Sequence, residues 1–301
     1  MEPILVTGGT GTLGRIVVRR LTTQGHNVRV LSRRPPPPAW SPGSREGPAA
    51  WATGDLRRDR GIDAAVAGAD VIVHCATGLG DVAAARHLID AARRAGGPHL
   101  VYISIVGVDR IPVGYYKSKL AVERQVESSG LPWTVLRATQ FHDLILRGCQ
   151  ALARLPVMPV PGRVAFQPID AAEVAERLAE LAVGSAAGRV PDMGGPEVRG
   201  TAELARTYLA ARGRHRPVLP VRIPGAAFAG FRRGDHLAPD HAVGRITFAQ
   251  FLAERFRSDG QPEPGAGPEP SGGPEPSGGP EPSGGAEPGA GPSPRTGREK
   301  G

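Results

Sequence analysis

The sequence predicts an α/β protein: a doubly wound parallel sheet with a small C-terminal lobe and a disordered tail. Three observations carry this. Short apolar or β-branched runs alternate with helix-length stretches of 3.6-residue periodicity from residue 3 to about residue 140. A turn with evenly spaced glycines joins the first such run to the first helix. The chain ends in a stretch of Pro, Gly, Glu and Ser that includes the hexad GPEPSG three times between residues 267 and 284.

The elements follow in order. Residues 3–7 are a short apolar strand, and 13–24 carry helical spacing that Gly25 closes. The next strand is 27–31. Residues 49–52 are a weaker strand ending at Gly54-Asp55, and 62–67 a short helix. The β-branched run 71–75 reads as a buried strand. Helix 82–95 stops at Gly96-Gly97, strand 100–105 follows, helix 115–129 stops at Gly130, and 134–137 is a strand. Beyond Phe141 the pattern loosens. Helices at 171–183, capped by Asp170, and at 201–211 stand between Pro-rich loops, as expected of a smaller lobe. The division is 1–155, 156–257 and a tail, 258–301, too polar to offset its chain entropy.

Composition excludes several classes. Apolar residues are 40% of the chain, enough for a sizeable core, but no run of eighteen could cross a membrane. The start, MEPILVTGG, lacks the basic and apolar regions of a signal peptide, and two cysteines, Cys75 and Cys149, fit a reducing compartment; a cytoplasmic protein is expected. The net charge of +8 suggests nucleic acid at first sight. Yet all bases but Lys117, Lys119 and Lys300 are arginine, in a chain also rich in Ala, Gly and Pro, which reads as compositional bias. With no aromatic platform and no zinc spacing, neither nucleic acid nor metal is expected. The oligomeric state is left open.

Thr7-Gly8-Gly9-Thr10-Gly11-Thr12-Leu13-Gly14 has the spacing of a dinucleotide-binding turn on a Rossmann fold. Gly8 permits the turn, Gly11 lets backbone approach a pyrophosphate, and Gly14 lets helix pack on strand. Thr10, Thr12 and Leu13 line the same place. A glycine-rich surface turn is the bland alternative; the strand before and the helix after favour the dinucleotide. Where an acid after the second strand would bind the ribose hydroxyls of NAD, the sequence has Ser32-Arg33-Arg34. A guanidinium pairs well with a 2′-phosphate, so NADP(H) is favoured over NAD(H), the alternative being two solvated arginines. Asp55 and Leu56 are expected along the adenine, and Ala76 and Thr77 in the same crevice. His74 in that turn is read as a packed side chain.

Tyr115 and Lys119 are i and i+4 on one helical face, the geometry of an acid–base pair in which the ammonium lowers the phenol and holds the nicotinamide ribose. A chance surface pair is the alternative. Arginine cannot discharge as lysine can, so Lys119 reads as a required lysine; Lys117 reads as incidental and Tyr116 as packing.

The segments ILVTGGTGTLG, LSRR, GDL, HCAT, VYISIVGVD, YYKSKLAVE, LPWTVLRATQFHD and FQPIDAAEVAERL resemble the short-chain dehydrogenase/reductase superfamily, in its atypical NmrA-like branch, over residues 3 to 257. The resemblance implies NAD(P)(H) binding and a lobe that closes on a small-molecule substrate. It matches Gly8, Gly11 and Gly14 to the phosphate turn and Tyr115 and Lys119 to Tyr-x-x-x-Lys, and places Thr139 on the nicotinamide side. It also implies a Ser or Thr near the end of the fifth strand; Ser104 is near, while an alignment one place along puts Ile105 there. Gln140, Phe141 and His142 follow the sixth strand, where open α/β sheets bind ligands, and are expected to border the substrate, against a reading as loop packing. Phe166-Gln167-Pro168 and Arg232-Arg233 are expected to contribute to the lid. Two functions follow: an NADP(H)-dependent oxidoreductase acting on a small carbonyl, quinone or enone-like substrate, and a non-catalytic NAD(P)(H)-sensing regulator of the NmrA type.

Overall fold

The computed structural model describes residues 3–36, 50–78 and 80–258. The expected tail beyond Ser258, and Ala49 of the expected third strand, lie outside the described residues. The first half runs β1 (Ile4–Thr7), α1 (Thr12–Thr23), β2 (Val28–Ser32), β3 (Ala50–Thr53), α2 (Ile62–Val66), β4 (Val71–His74), α3 (Asp81–Arg94), β5 (His99–Ile105), α4 (Gly114–Glu127) and β6 (Trp133–Ala138). Then come α5 (His142–Leu152), β7 (Met158–Pro161), β8 (Ala165–Phe166), α6 (Ala171–Val183), β9 (Gly188–Arg189), β10 (Arg199–Gly200), α7 (Thr201–Ala211), β11 (Val218–Val221), α8 (Ala226–Arg233) and α9 (Phe248–Ser258).

Seven strands form one parallel sheet in the order β3-β2-β1-β4-β5-β6-β9. This is the doubly wound order the sequence predicts. Alternation along β1 shows how it is built. Ile4 and Val6 enter the core layer with α1 and α6, while Leu5 enters the opposite layer with α2, α3 and α4. Both faces are therefore covered, which is why the strands read as continuous apolar runs rather than alternating ones. Asp170 caps α6 as expected, its carboxylate accepting the Ala172 N–H at 2.7 Å.

The strand order reverses between β1 and β4, paired in register from Ile4↔Val71 to Thr7↔His74. The crevice beyond their carboxyl ends is where a ligand fits. A third core lies past β6, where α5, β7, α7 and α9 bury Met158, Leu204, Tyr208, Leu209, Phe248 and Leu252. Two short pairs, parallel β7–β11 and antiparallel β8–β10, brace this part. The sequence reading did not anticipate α5, α8 or α9. Among the described residues no helix is long and apolar enough to cross a membrane.

Candidate active site

The turn after β1 is held by backbone, and its glycines are steric requirements. Gly8 adopts φ +70°, and a Cβ there would sit 2.6 Å from the Ala76 nitrogen. A Cβ on Gly14 would lie 2.2 Å from the Gly8 carbonyl oxygen, so only glycine lets α1 start this close to β1. Helix α1 has no side-chain cap and no acid in its first turn. Its first N–H groups and positive dipole end are left for an anion.

Two adjoining cavities flank the turn. The first, of about 330 Å³, is lined by Gly8, Thr10, Gly11, Ser32, Arg33, Asp55, Leu56, Ala76 and Thr77, all expected from the sequence, together with Arg57 and Asp81, which were not. Arg34 is not on its wall. The Arg34 N–H donates to Ser32 Oγ at 3.2 Å and its carbonyl accepts from the Trp51 indole at 3.0 Å, which fixes the loop instead.

The second cavity, of about 420 Å³, brings together Gly11, Thr12, Leu13, Gly14, Thr77, Ser104, Tyr115, Lys119, Thr139, Gln140 and Phe141. Ile105, Tyr116, Leu144 and Arg147 also line it. Ser104 is 2% exposed and, among the described residues, its hydroxyl has no hydrogen-bond partner; Gln140 Oε1 is likewise without one. Such atoms are costly to bury unless something else satisfies them. At the end of β5 both Ser104 and Ile105 line this cavity, and of the two only Ser104 carries a hydroxyl. Thr139 Oγ1 donates to the Gln167 carbonyl at 2.6 Å, so it fixes the wall as well as lining it.

The structure does not bring His142 to this cavity. It opens α5 fully buried, its ring 5.1 Å from that of Phe251 and 5.8 Å from that of Phe248, with Nε2 2.9 Å from the Ile246 carbonyl. Apolar stacking from α9 turned it into the third core. Gln167 is buried too, tied to Gly195 and Ala238, and acts as a strut rather than a lid face.

Lys119 is 3% exposed, donates to the Ile103 carbonyl at 3.2 Å and lies 4.8 Å from the Tyr102 ring centroid. Burial lowers its ammonium to about 8, with Asp81, Cys75 and Glu123 partly opposing. Burial, and then Lys119, hold His74 neutral at about 3, bonded to Thr7 Oγ1 at 2.7 Å. The expectation that Lys119 lowers the Tyr115 phenol is not met. Burial raises it, Asp81 raises it further, and the Thr77 hydroxyl, which can turn toward a phenolate, works the other way. Tyr115 is nonetheless 44% exposed at the cavity mouth, its hydroxyl 2.9 Å from Thr77 Oγ1.

A buried ion pair holds these walls together. Arg137 of β6 grips Glu123 of α4 with two bonds, 2.8 and 2.6 Å, and reaches Asp109 at 3.1 Å. It thereby ties the helix of Tyr115 and Lys119 to the strand leading into Thr139 and Gln140. Among the described residues no three His, Cys, Asp or Glu side chains converge on a metal position.

A family model for NAD(P)H binding matches residues 8–181. The chain belongs to this NAD(P)H-binding family. An NAD(P)H azoreductase of Xenophilus azovorans is 30% identical over 222 residues, 70% of this chain and 74% of that protein. A chloroplastic protein of Arabidopsis thaliana named for a high-chlorophyll-fluorescence phenotype is 35% identical over 150 residues, 46% of this chain. That match spans only 36% of the Arabidopsis protein's length. An NADPH-dependent quinone oxidoreductase from Escherichia coli, solved with NADPH, superposes with TM-score 0.70 at 17% identity, covering 84% of this chain and 99% of that one. At that identity the likeness is one of fold.

Proposed function

We propose that this chain is an NADP(H)-dependent oxidoreductase acting on a small carbonyl, quinone or enone-like substrate. The observation that carries the reading is the second cavity itself. Tyr115, a buried lysine and the partnerless Ser104 hydroxyl share one wall beside the phosphate turn. The residues fit the cofactor. The glycine cradle and the free end of α1 suit the pyrophosphate, Ser32 and Arg33 the 2′-phosphate, and Lys119 and Thr139 the nicotinamide ribose side. Bound NADP(H) supplies or accepts a hydride. The chain does the rest: Ser104 donates a hydrogen bond to the substrate oxygen, Tyr115 transfers the proton, and Lys119 places a cation beneath them. The named activities of the azoreductase and the quinone oxidoreductase support an acceptor of this class.

Replacing Tyr115 by Phe tests the chemistry: NADPH binding persists and turnover of a quinone panel falls at least a hundredfold. Activity equal to wild type removes Tyr115 from the reaction. Arg33→Ala tests the cofactor, weakening NADPH about tenfold or more and leaving NADH unchanged, as loss of a charge-assisted bond implies. A nucleotide-sensing regulator is the second reading. Wild type that binds NADPH and reduces nothing in the panel supports it.

A further inference from the structure

Asp81 opens α3 at 8% exposure, and among the described residues no cation lies within ion-pair distance of it. A carboxylate in such a place costs free energy that only its hydrogen bonds and the N-terminal end of α3 offset. Its side-chain partner is the Thr77 hydroxyl, which donates to Oδ2 at 3.0 Å, and the Gly78 backbone supports it. Thr77 Oγ1 also lies 2.9 Å from the Tyr115 hydroxyl. A threonine hydroxyl has one proton. With that proton given to Asp81, Thr77 can only accept from Tyr115. The direction of the chain is therefore set: Tyr115 O–H to Thr77, Thr77 O–H to Asp81.

We propose that Asp81, acting through Thr77, orients and reloads the proton of Tyr115. The proposal rests on the oxidoreductase reading above. In reduction the O–H bond of Tyr115 breaks and the proton bonds to the substrate oxygen, leaving a phenolate; the electron pair comes with the hydride already assigned to the cofactor. Asp81 takes a proton from solvent. Thr77 then passes its own proton to the phenolate while receiving the one from Asp81. The result is the observed arrangement, a neutral Tyr115 donating to Thr77 and an ionised Asp81. No atom is gained or lost, and Thr77 ends as it began. Burial holds the Asp81 carboxyl above the usual carboxylate range, which suits a group that must take up a proton, while Lys119 pulls it back.

Other titratable and charged groups surround this chain. Lys119 and Glu123 face it from α4, Tyr102 from β5, His74 and Cys75 from the end of β4, and Tyr116 from beside Tyr115. The Arg57 side chain lies against Gly80. Asp81 and Thr77 are positioning residues, so the test needs a readout that mere structure would not move.

That readout is the titration of Tyr115 in the cofactor-free protein, followed by NMR of ring-labelled tyrosine, with Tyr115→Phe assigning its signal among the four tyrosines of the chain. Asp81→Asn lowers the Tyr115 midpoint by about half a pH unit or more, because a negative charge is lost and Thr77 is freed for the phenolate. In the Thr77→Val background the part of that shift carried by the hydroxyl disappears and the part due to the lost charge remains. With menadione as probe acceptor at saturating NADPH, kcat falls about tenfold in Asp81→Asn and Thr77→Val and returns within about threefold in Thr77→Ser. An unchanged Tyr115 midpoint in Asp81→Asn overturns the proposal. So does a Thr77→Val loss that saturating NADPH repairs completely, since Thr77 is then a cofactor contact. If Tyr115→Phe loses activity while both variants keep wild-type kcat and midpoint, the relay fails and the oxidoreductase reading stands. If Tyr115→Phe keeps activity, that reading fails first and takes the relay with it. Should wild type not reduce menadione, the titration alone decides.

Discussion

Replacing Lys119 by Met should make the protein more stable and disable it. The ammonium, ordinarily at 10.5, is held at about 8 by burial. That gap, about two and a half pH units at ~1.4 kcal/mol each, is a destabilisation of about 3.5 kcal/mol. Below pH 8 the folded and unfolded chains both carry the charge, and the penalty is complete. Between pH 8 and 10.5 the folded chain is neutral while the unfolded one still holds its proton, so the penalty shrinks as pH rises. Above 10.5 it is gone. Methionine has a similar length and no charge. Against the gain stand the lost bond to the Ile103 carbonyl, the lost contact with the Tyr102 ring and the lost cation near Asp81. Together these offset about 1 kcal/mol. The expected net gain at pH 7 is about 2.5 kcal/mol, or roughly 5–10 °C in Tm. Urea unfolding of wild type and variant without cofactor, at pH 7 and pH 10, measures it. A variant less stable than wild type at pH 7, or an advantage equal at both pH values, refutes the reasoning. NADPH oxidation should be lost in either case.

Ser104→Ala removes a buried hydroxyl that has no partner among the described residues; thermal melts should be unchanged or higher by up to about 1 kcal/mol, while turnover falls about a hundredfold. Glu123→Gln leaves Arg137 with only the half-exposed Asp109 as a charged partner, and the urea midpoint should drop by the equivalent of about 3 kcal/mol or more. Gly14→Ala drives a Cβ into the Gly8 carbonyl, and a fluorescence titration should show NADPH affinity reduced more than tenfold together with a lower melting temperature.

The sheet was legible because its strands are buried on both faces and its helices carry an apolar stripe; both are local patterns. The phosphate turn was legible because its glycines answer to local sterics, and Tyr115 and Lys119 because helical spacing alone puts them on one face. The residues that misled depend on distant chain. His142 looked like a cavity residue by its place after β6, yet its direction is set by Phe248, Phe251 and the Ile246 carbonyl, more than a hundred positions on. Helix α9 places apolar residues at 248, 251, 252 and 256, a helical stripe, but nothing local says what it covers. Asp81 stands where acids commonly open a helix, so its sequence position says nothing of the chemistry; only the approach of Thr77 to Tyr115 does.

Two buried cations near α4 show why the arginine-rich body makes an exception at position 119. Arg137 is 6% exposed at its side chain and Lys119 3% exposed overall, so both have lost their water. Arg137 keeps its charge because Glu123 and Asp109 surround it, and their effect outweighs burial and raises it far above its ordinary range. Lys119 has no such acid in contact, and burial instead lowers it to about 8. Arginine at 119 would demand a carboxylate against it, and that carboxylate would fill the space beside the second cavity. Lysine tolerates the same burial by holding its proton weakly. Among the described residues Lys119 has the Ile103 carbonyl and the Tyr102 ring as partners and Ser104 Oγ has none, and both residues line the second cavity. Burial without an acid in contact therefore sets Lys119 apart from Arg137, whose charge holds α4 to β6.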